Sequence, residues 1–245
     1  MFSEEMLNRL REAKSVGVLT GAGISAESGV PTFRGEEGLW KKYHPEELAN
    51  FDAFIQNPKL VWEWYNYRKK IISEVEPNPA HHALVKMEKH YAEFSLVTQN
   101  VDNLHRRAGS QRIYELHGNI MRNRCVDCNK YVDEFSILDA ENLPECECGG
   151  PIRPDVVWYG EMLPQKVLMD SFRVANNSDV FFSIGTSAVV QPAASLPLEA
   201  KNAGAFVIEI NAESTVISSL VDESIIGKAG EVLPKLLKEL SIGIS

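Results

Sequence analysis

The sequence predicts an α/β fold: a doubly wound parallel sheet flanked by helices, with a smaller lobe beside it. Three observations carry this. Short, continuous, β-branched runs recur along the chain and end in Gly, Asn or Asp, as strands covered on both faces do. Amphipathic helical patterns lie between them. Two segments break the alternation, one rich in aromatic residues and one holding all four cysteines.

The elements follow in order. A helical pattern over Glu4–Ala13 precedes a first strand at Val16–Leu19. Gly21-Ala22-Gly23-Ile24-Ser25-Ala26 comes at once and fits the Gly-x-Gly-x-x-Gly/Ala turn that holds a dinucleotide's diphosphate near a helix N-terminus. The pattern then breaks. Gly29, Pro31 and Gly35 interrupt the helix that such a turn should open, and no second strand ending in an acidic residue follows. Residues 35–78 read as a helical insertion with a cofactor loop, Leu60–Ile72 being the clearest helix. A helix at His82–Tyr91 leads to strands at Phe94–Thr98 and Ile113–Leu116. Strands at Val156–Trp158, Val180–Ile184 and Phe206–Ile210 complete the sheet, and Val232–Leu240 closes the chain as a helix. The expected division is a Rossmann-like large domain (residues 1–34, 79–118 and 155–245), the helical insertion (35–78) and a cysteine module (119–154).

Composition narrows the class. At 245 residues the chain can bury roughly 70–75% of its unfolded surface without a staple. It is 44% hydrophobic and 24% charged, as an ordinary globular enzyme is. No apolar run reaches the roughly 18 residues that a membrane helix needs. The acidic start, Met1 to Met6, lacks the apolar segment of a secretory signal, so cytoplasmic residence is expected. A net charge of −9 without a dense Lys/Arg run argues against direct contact with nucleic acid. An acidic surface suits a basic partner, such as a lysine-bearing segment.

Cys125-Val-Asp-Cys128 and Cys146-Glu-Cys148 are two close pairs separated by seventeen residues. Such pairs in a cytosolic protein read as a tetrahedral zinc site; two disulfides or four unrelated cysteines are the alternatives. The second pair is one residue tighter than C-x-x-C, and Gly149-Gly150 gives the backbone freedom to adjust. Four thiolates leave no open position, so the metal is structural.

Polar loops follow the strands. Thr98-Gln99-Asn100-Val101-Asp102-Asn103 suits a polar ligand, although an Asn/Asp-rich turn would look the same. Leu116-His117-Gly118-Asn119 offers a histidine that can act as a base near neutral pH, or a structural histidine. Gly185-Thr186-Ser187 has small residues that let a phosphate approach, and Glu209-Ile210-Asn211 ends the next strand. All could line one crevice with the Gly-rich turn. The set lacks a hydride-transfer partner.

Taken together, Gly21-Ala-Gly23-Ile-Ser25, Gly29-Val-Pro-Thr-Phe-Arg34, Thr98-Gln-Asn-Val-Asp102, His117-Gly118, the four cysteines, Gly185-Thr-Ser187 and Ile210-Asn211 stand in an order that resembles the sirtuins. The resemblance runs over essentially the whole chain; Val30, where Ile is common, and the tight C-x-C depart from the pattern. It implies an NAD-dependent protein-lysine deacylase with a Rossmann-like large domain and a small zinc-bearing lobe. NAD is then consumed as an electrophile, giving nicotinamide, free lysine and O-acyl-ADP-ribose. The resemblance makes His117 the general base, with Asn100 and Asp102 at the nicotinamide and ribose. It places Gly21, Ala22, Gly23, Ser25, Glu27, Phe33, Arg34, Trp40 and Gln99 at the cofactor, and Gly185, Thr186, Ser187, Asn211 and Ala229 toward its adenosine half. Val157, Tyr159, Gly160 and Glu161 would meet the substrate peptide by strand addition.

Tyr65 and Arg68 stand i, i+3 on a predicted helix and share a face. Class III sirtuins carry this Tyr-x-x-Arg pair in the acyl pocket, which implies removal of succinyl or malonyl groups with some deacetylase activity. Arg68 would fork onto the acyl carboxylate. A solvated helix face is the plain alternative. A dehydrogenase lacks its acidic second strand here, and a zinc-ribbon adaptor would need basic or aromatic surface around Cys125–Cys148, where the stretch Asp133–Glu147 is instead acidic. A mono-ADP-ribosyltransferase remains the enzymatic alternative, because it uses the same electrophile.

Overall fold

Two sheets organise the chain; the computed structural model describes residues 2–31, 48–132 and 144–243. The larger sheet contains β1 (Ser15–Thr20), β2 (Glu93–Thr98), β3 (Ile113–Glu115), β7 (Val180–Ile184), β8 (Phe206–Asn211) and β9 (Glu223–Ile226). Its order is β3-β2-β1-β7-β8-β9, and every pairing is parallel. The chain starts in the middle, walks outward to β3, then returns to the other side of β1. The order reverses between β1 and β7, where an open α/β sheet parts to admit a ligand.

Both faces of this sheet are covered, which is why its strands read as unbroken apolar runs. Val16, Val18, Phe182, Ile184, Ile208 and Ile210 pack to one side, with Leu10 of α1 (Glu4–Glu12), Leu84 and Met87 of α5 (Pro79–His90) and Leu233 of α9 (Ala229–Glu239). Leu19, Val97, Phe181 and Val207 point to the other. There Ala175 of α7 (Gln165–Asn177) and Leu196 and Ala200 of α8 (Leu196–Asn202) cover them. The helices at the sequence-predicted positions form, with α5 starting earlier than expected because Asn78 caps it in a capping box before Pro79. The helices α7 and α8 and the edge strand β9 are additions to the sequence reading.

The second sheet is antiparallel, ordered β5 (Tyr131–Val132), β4 (Gly118–Cys125) and β6 (Ile152–Val156). Here the structure corrects the sequence. The strand expected at Val156–Trp158 in the large sheet is instead Ile152–Val156 in the small one, so residue 155 lies inside a small-sheet strand. The expectation failed because this strand buries Arg153 and Asp155 and contains Pro154. Its edge position accommodates the proline, and ion pairs with Glu161 and Arg122 accommodate the charges. A separate core lies beneath it: α3 (Phe51–Gln56) and α4 (Pro58–Glu74) contribute Phe54, Val61, Trp62, Trp64, Tyr65 and Ile72, and the sheet side contributes Ile120, Ile152 and Trp158.

Candidate active site

The cleft opens where the strand order reverses. It measures about 1260 Å³ and runs from Ala229 and Asn211 at one end to Tyr65 and Arg68 at the other. Its floor is two backbone turns in contact. Gly23 N–H donates to the Gly185 carbonyl at 2.7 Å, and Gly21 N–H to the Ile184 carbonyl at 3.0 Å. A Cβ on Gly23 would lie 2.8 Å from Gly185, and one on Gly185 (φ +60°) only 2.4 Å from the Ile24 nitrogen. Glycine is therefore required at both turns by close approach. The helix that follows the turn, α2 (Gly23–Ala26), is a single turn long. The interruption read in the sequence is real, and so no long helix dipole stands behind this turn.

A chain of side-chain bonds ties the strand ends together. Gln99 Nε2 donates to Thr186 Oγ1 at 3.0 Å, and Asn211 Nδ2 donates to the Thr186 carbonyl at 2.9 Å. Asn100 Nδ2 donates to the Gly21 carbonyl (3.0 Å) and to Ser25 Oγ (3.2 Å), which anchors the Gly-rich turn to the β2 loop. Glu209, buried at the end of β8, accepts from the hydroxyls of Thr215, Ser218 and Ser224. That carboxylate holds the loop whose residues Ala212–Val216 wall the cleft.

His117 lies half-buried after β3. Its Nδ1 is 2.9 Å from the Gln99 carbonyl, which can only accept, so Nδ1 carries the hydrogen and the neutral ring keeps its lone pair at Nε2. Burial pushes its pKa below the usual histidine value, with the Gln99 bond opposing. A neutral histidine with a directed lone pair can act as a base.

The predicted residues divide in three. Gly21, Ala22, Gly23, Glu27, Gln99, Asn100, His117, Gly185, Thr186, Ser187, Asn211 and Ala229 line the cleft, as do Tyr65, Arg68, Val157, Tyr159, Gly160 and Glu161. Ser25 and Asp102 line a small adjoining cavity instead, sharing Ala22, Arg68 and Asn100 with the main cleft. Phe33, Arg34 and Trp40 lie outside the described residues. Two carboxylates are engaged within the chain: Glu27 accepts from Gly230 N–H at 2.9 Å, while Glu161 accepts from Arg153 and from Trp158 N–H (2.8 Å). Asp102 is buried, and burial raises its carboxyl above the usual range. The Leu104 N–H, the Ser25 hydroxyl and the charge of Arg68 oppose that rise.

Val157 N–H donates to the His117 carbonyl and Tyr159 N–H to the Ala49 carbonyl. This stretch is thus strung between the loop that follows β3 and the residues just before α3, with Tyr159 itself exposed.

The structure adds residues that sequence reading missed. His81 and His105 stack with ring centroids 4.8 Å apart behind the Gly-rich turn, His105 2.9 Å from Thr20 Oγ1 and His81 3.5 Å from Ser25 Oγ. Burial pushes His81 down to about 4 and His105 well below the usual value. Both rings are neutral at physiological pH. The available signal was a histidine on the buried face of a helix in each case.

The four cysteine sulfurs lie within 4.8 Å of one another, with Cys125–Cys148 at 3.5 Å and Cys128–Cys146 at 3.7 Å. Four thiolates about 2.3 Å from one zinc ion stand about 3.8 Å apart, so the set fits a structural zinc. Gly150 makes the tight second pair possible, since a Cβ there would fall 2.8 Å from the Cys125 sulfur.

Comparison with known proteins gives concordant results. The model of the Sir2 family matches residues 21–192. An NAD-dependent protein deacylase of Pyrococcus furiosus is 50% identical over 242 residues, covering 96% of this chain and 97% of that protein. A solved Sir2 homolog–NAD complex superposes with a TM-score of 0.91 at 47% identity, covering 98% of this chain and 94% of that one. A Sir2–p53 peptide–NAD+ complex gives 0.88 at 32% identity over the full length of both chains.

Proposed function

This chain belongs to the Sir2 family, and we infer that it is an NAD-dependent protein-lysine deacylase acting on acyl-lysine in proteins or peptides. The cleft suits an extended dinucleotide. Close-packed glycine turns form its floor, and polar loops from the strand ends on either side of β1 form its walls. When bound, NAD supplies an electrophilic ribose carbon from which nicotinamide departs. Gly21, Ala22, Gly23 and Gln99 would hold its central part, with Gly185, Thr186, Ser187, Asn211 and Ala229 at the adenosine half. Asn100, Asp102 and Ser25 would face the nicotinamide end beside Arg68. Phe33, Arg34 and Trp40 remain assigned to the cofactor on sequence grounds, and Glu27 positions the turn through Gly230.

His117 takes up a proton at Nε2 from a sugar hydroxyl, and the Gln99 carbonyl holds the ring in the tautomer that can do so. The substrate peptide would lie along the exposed turn at Tyr159–Gly160, close to the His117 backbone through Val157. Glu161 acts from behind, by bracing Trp158. A mono-ADP-ribosyltransferase would use the same electrophile, but the Pyrococcus furiosus relative named above carries the deacylase name. The zinc thiolates need a compartment that keeps thiols reduced, which supports the cytoplasm.

The acyl group we propose is acidic, succinyl or malonyl, with acetyl a poorer substrate. One observation carries this: Arg68 and Tyr65 are both buried and yet border the cleft. Arg68 lies close enough to Asp102 to feel its charge, and a guanidinium that also borders the cleft matches an incoming carboxylate in a forked pair. Initial rates on succinyl-, malonyl- and acetyl-lysine peptides test it. The acidic peptides should turn over faster, and Arg68→Met should reduce that preference by about 10²-fold. Equal or better acetyl turnover, unaffected by Arg68→Met, would overturn the acyl preference.

A further inference from the structure

Tyr65 is fully buried at the acyl end of the cleft, and its hydroxyl is held by a single neighbour. Trp158 Nε1 lies 2.7 Å from the Tyr65 oxygen. An indole N–H can only donate, so the Tyr65 oxygen is the acceptor in this bond. The phenol's own hydrogen must then point elsewhere. Among the described residues the hydroxyl makes no second hydrogen bond.

The indole cannot swing away from this role. The Arg153 guanidinium lies 3.3 Å from the Trp158 ring centroid, and the Phe54 ring is 5.2 Å away. Arg153 is itself fixed by the Glu161 carboxylate and by the Val156 carbonyl at 2.8 Å. Trp158 N–H donates to the same Glu161 at 2.8 Å. Backbone and ring are pinned by one carboxylate and the cation it holds.

We propose that Trp158 is a specificity-determining residue that turns Tyr65 into a donor toward the acyl group. The pocket then selects an acyl end that only accepts hydrogen bonds, a carboxylate, over an isosteric carboxamide. This rests on the acidic-acyl reading above and deepens it. A free tyrosine hydroxyl can rotate to donate or accept, and would serve a carboxamide nearly as well. With its acceptor side filled by Trp158, and with Arg68 having donors only, the two groups leave an amide NH2 unpaired in a buried place. Shape is the same for the two acyl ends, so the discrimination is one of hydrogen-bond polarity and charge.

The test measures kcat/KM on a succinyl-lysine peptide and on its succinamyl isostere, for wild type, Trp158→Phe, Tyr65→Phe and the double variant. Trp158→Phe should lower the acid-to-amide ratio about fivefold to tenfold, and should lower it no further in the Tyr65→Phe background. An equal fall in both backgrounds would mean that Trp158 acts through shape, and no fall would mean that it does not act; either overturns the proposal. Should Trp158→Phe fail to fold, Tyr65→Phe alone should shift the indole N–H resonance of Trp158 and lower the same ratio; failure of either overturns it. The acyl reading fails separately. A wild type that does not prefer succinyl to acetyl sinks both ideas, whereas a strong succinyl preference with an unchanged acid-to-amide ratio in Trp158→Phe sinks only this one.

Discussion

The two ends of the cleft are built by opposite means. At the cofactor end the walls are backbone turns and short polar side chains, all delivered by the carboxyl ends of parallel strands. At the end proposed for the acyl group they are large side chains, Trp158, Tyr65 and Arg68, drawn from a second core under an antiparallel sheet. The first end tolerates almost no added atom, as the 2.4 Å gap at Gly185 shows. The second depends on how aromatic rings and guanidinium groups stack. One end can therefore stay constant in its ligand while the other is retuned by exchanging a few side chains.

Removing the zinc should separate the ends most sharply. The cysteines close the lobe that carries β4 and β6, and a structural zinc site contributes about 10–16 kcal/mol of apparent folding energy. Chelation should abolish deacylation and remove part of the circular dichroism signal, while the parallel sheet stays folded. If the whole chain unfolds in one step, the two regions are not separately stabilised and the contrast falls.

His117 stands between the ends. His117→Ala should lower deacylation about 10²- to 10⁴-fold, while calorimetry shows NAD binding nearly unchanged. Near-normal turnover would place the base elsewhere.

A substitution on the cofactor side should spare acyl choice. Gly185→Ala forces a Cβ into the neighbouring turn at a positive φ, a strain of about 1–3 kcal/mol. The Kd for NAD should rise by about tenfold, and the ratio of succinyl to acetyl rates should stay constant. A change in that ratio would show that the ends are coupled.

The smallest effect is in pH dependence. Burial disfavours the charged form of His117, so its folded pKa lies below the ordinary value near 6.5. The ring stays neutral, and active as a base, to lower pH than a solvated histidine would. The acidic limb of kcat/KM should accordingly lie below pH 6.5, and a limb above it would contradict the assigned environment.

The turns and strand-end residues that line the proposed cofactor end of the cleft were largely legible in the sequence. Gly21, Gly23 and Gly185 mark turns by their sequence pattern, although the need for glycine there comes from the close approach of the two turns, and Gln99, Asn100, Thr186 and Asn211 follow their strands closely. The acyl end was legible in part. The i, i+3 spacing put Tyr65 and Arg68 on one face, but the face alone left a solvated helix open as the alternative. The strand around residue 155 was misplaced because Arg153, Pro154 and Asp155 contradict a buried strand by composition. Only partners elsewhere in the chain, Glu161 and Arg122, make it acceptable.

By itself, then, the sequence determined the parallel sheet, the dinucleotide turn, the metal thiolates and the histidine that follows β3. Each of these is a pattern over a few neighbouring residues, governed by periodicity, backbone conformation or ligand spacing. The tertiary structure alone decided that Trp158 reaches Tyr65 across 93 positions, that Arg153 stacks on that indole, and that Ser25 and Asp102 share a side cavity with Arg68. Those arrangements arise from packing between elements far apart in the chain, where burial makes each hydrogen bond and charge depend on its neighbours, and no local pattern encodes them.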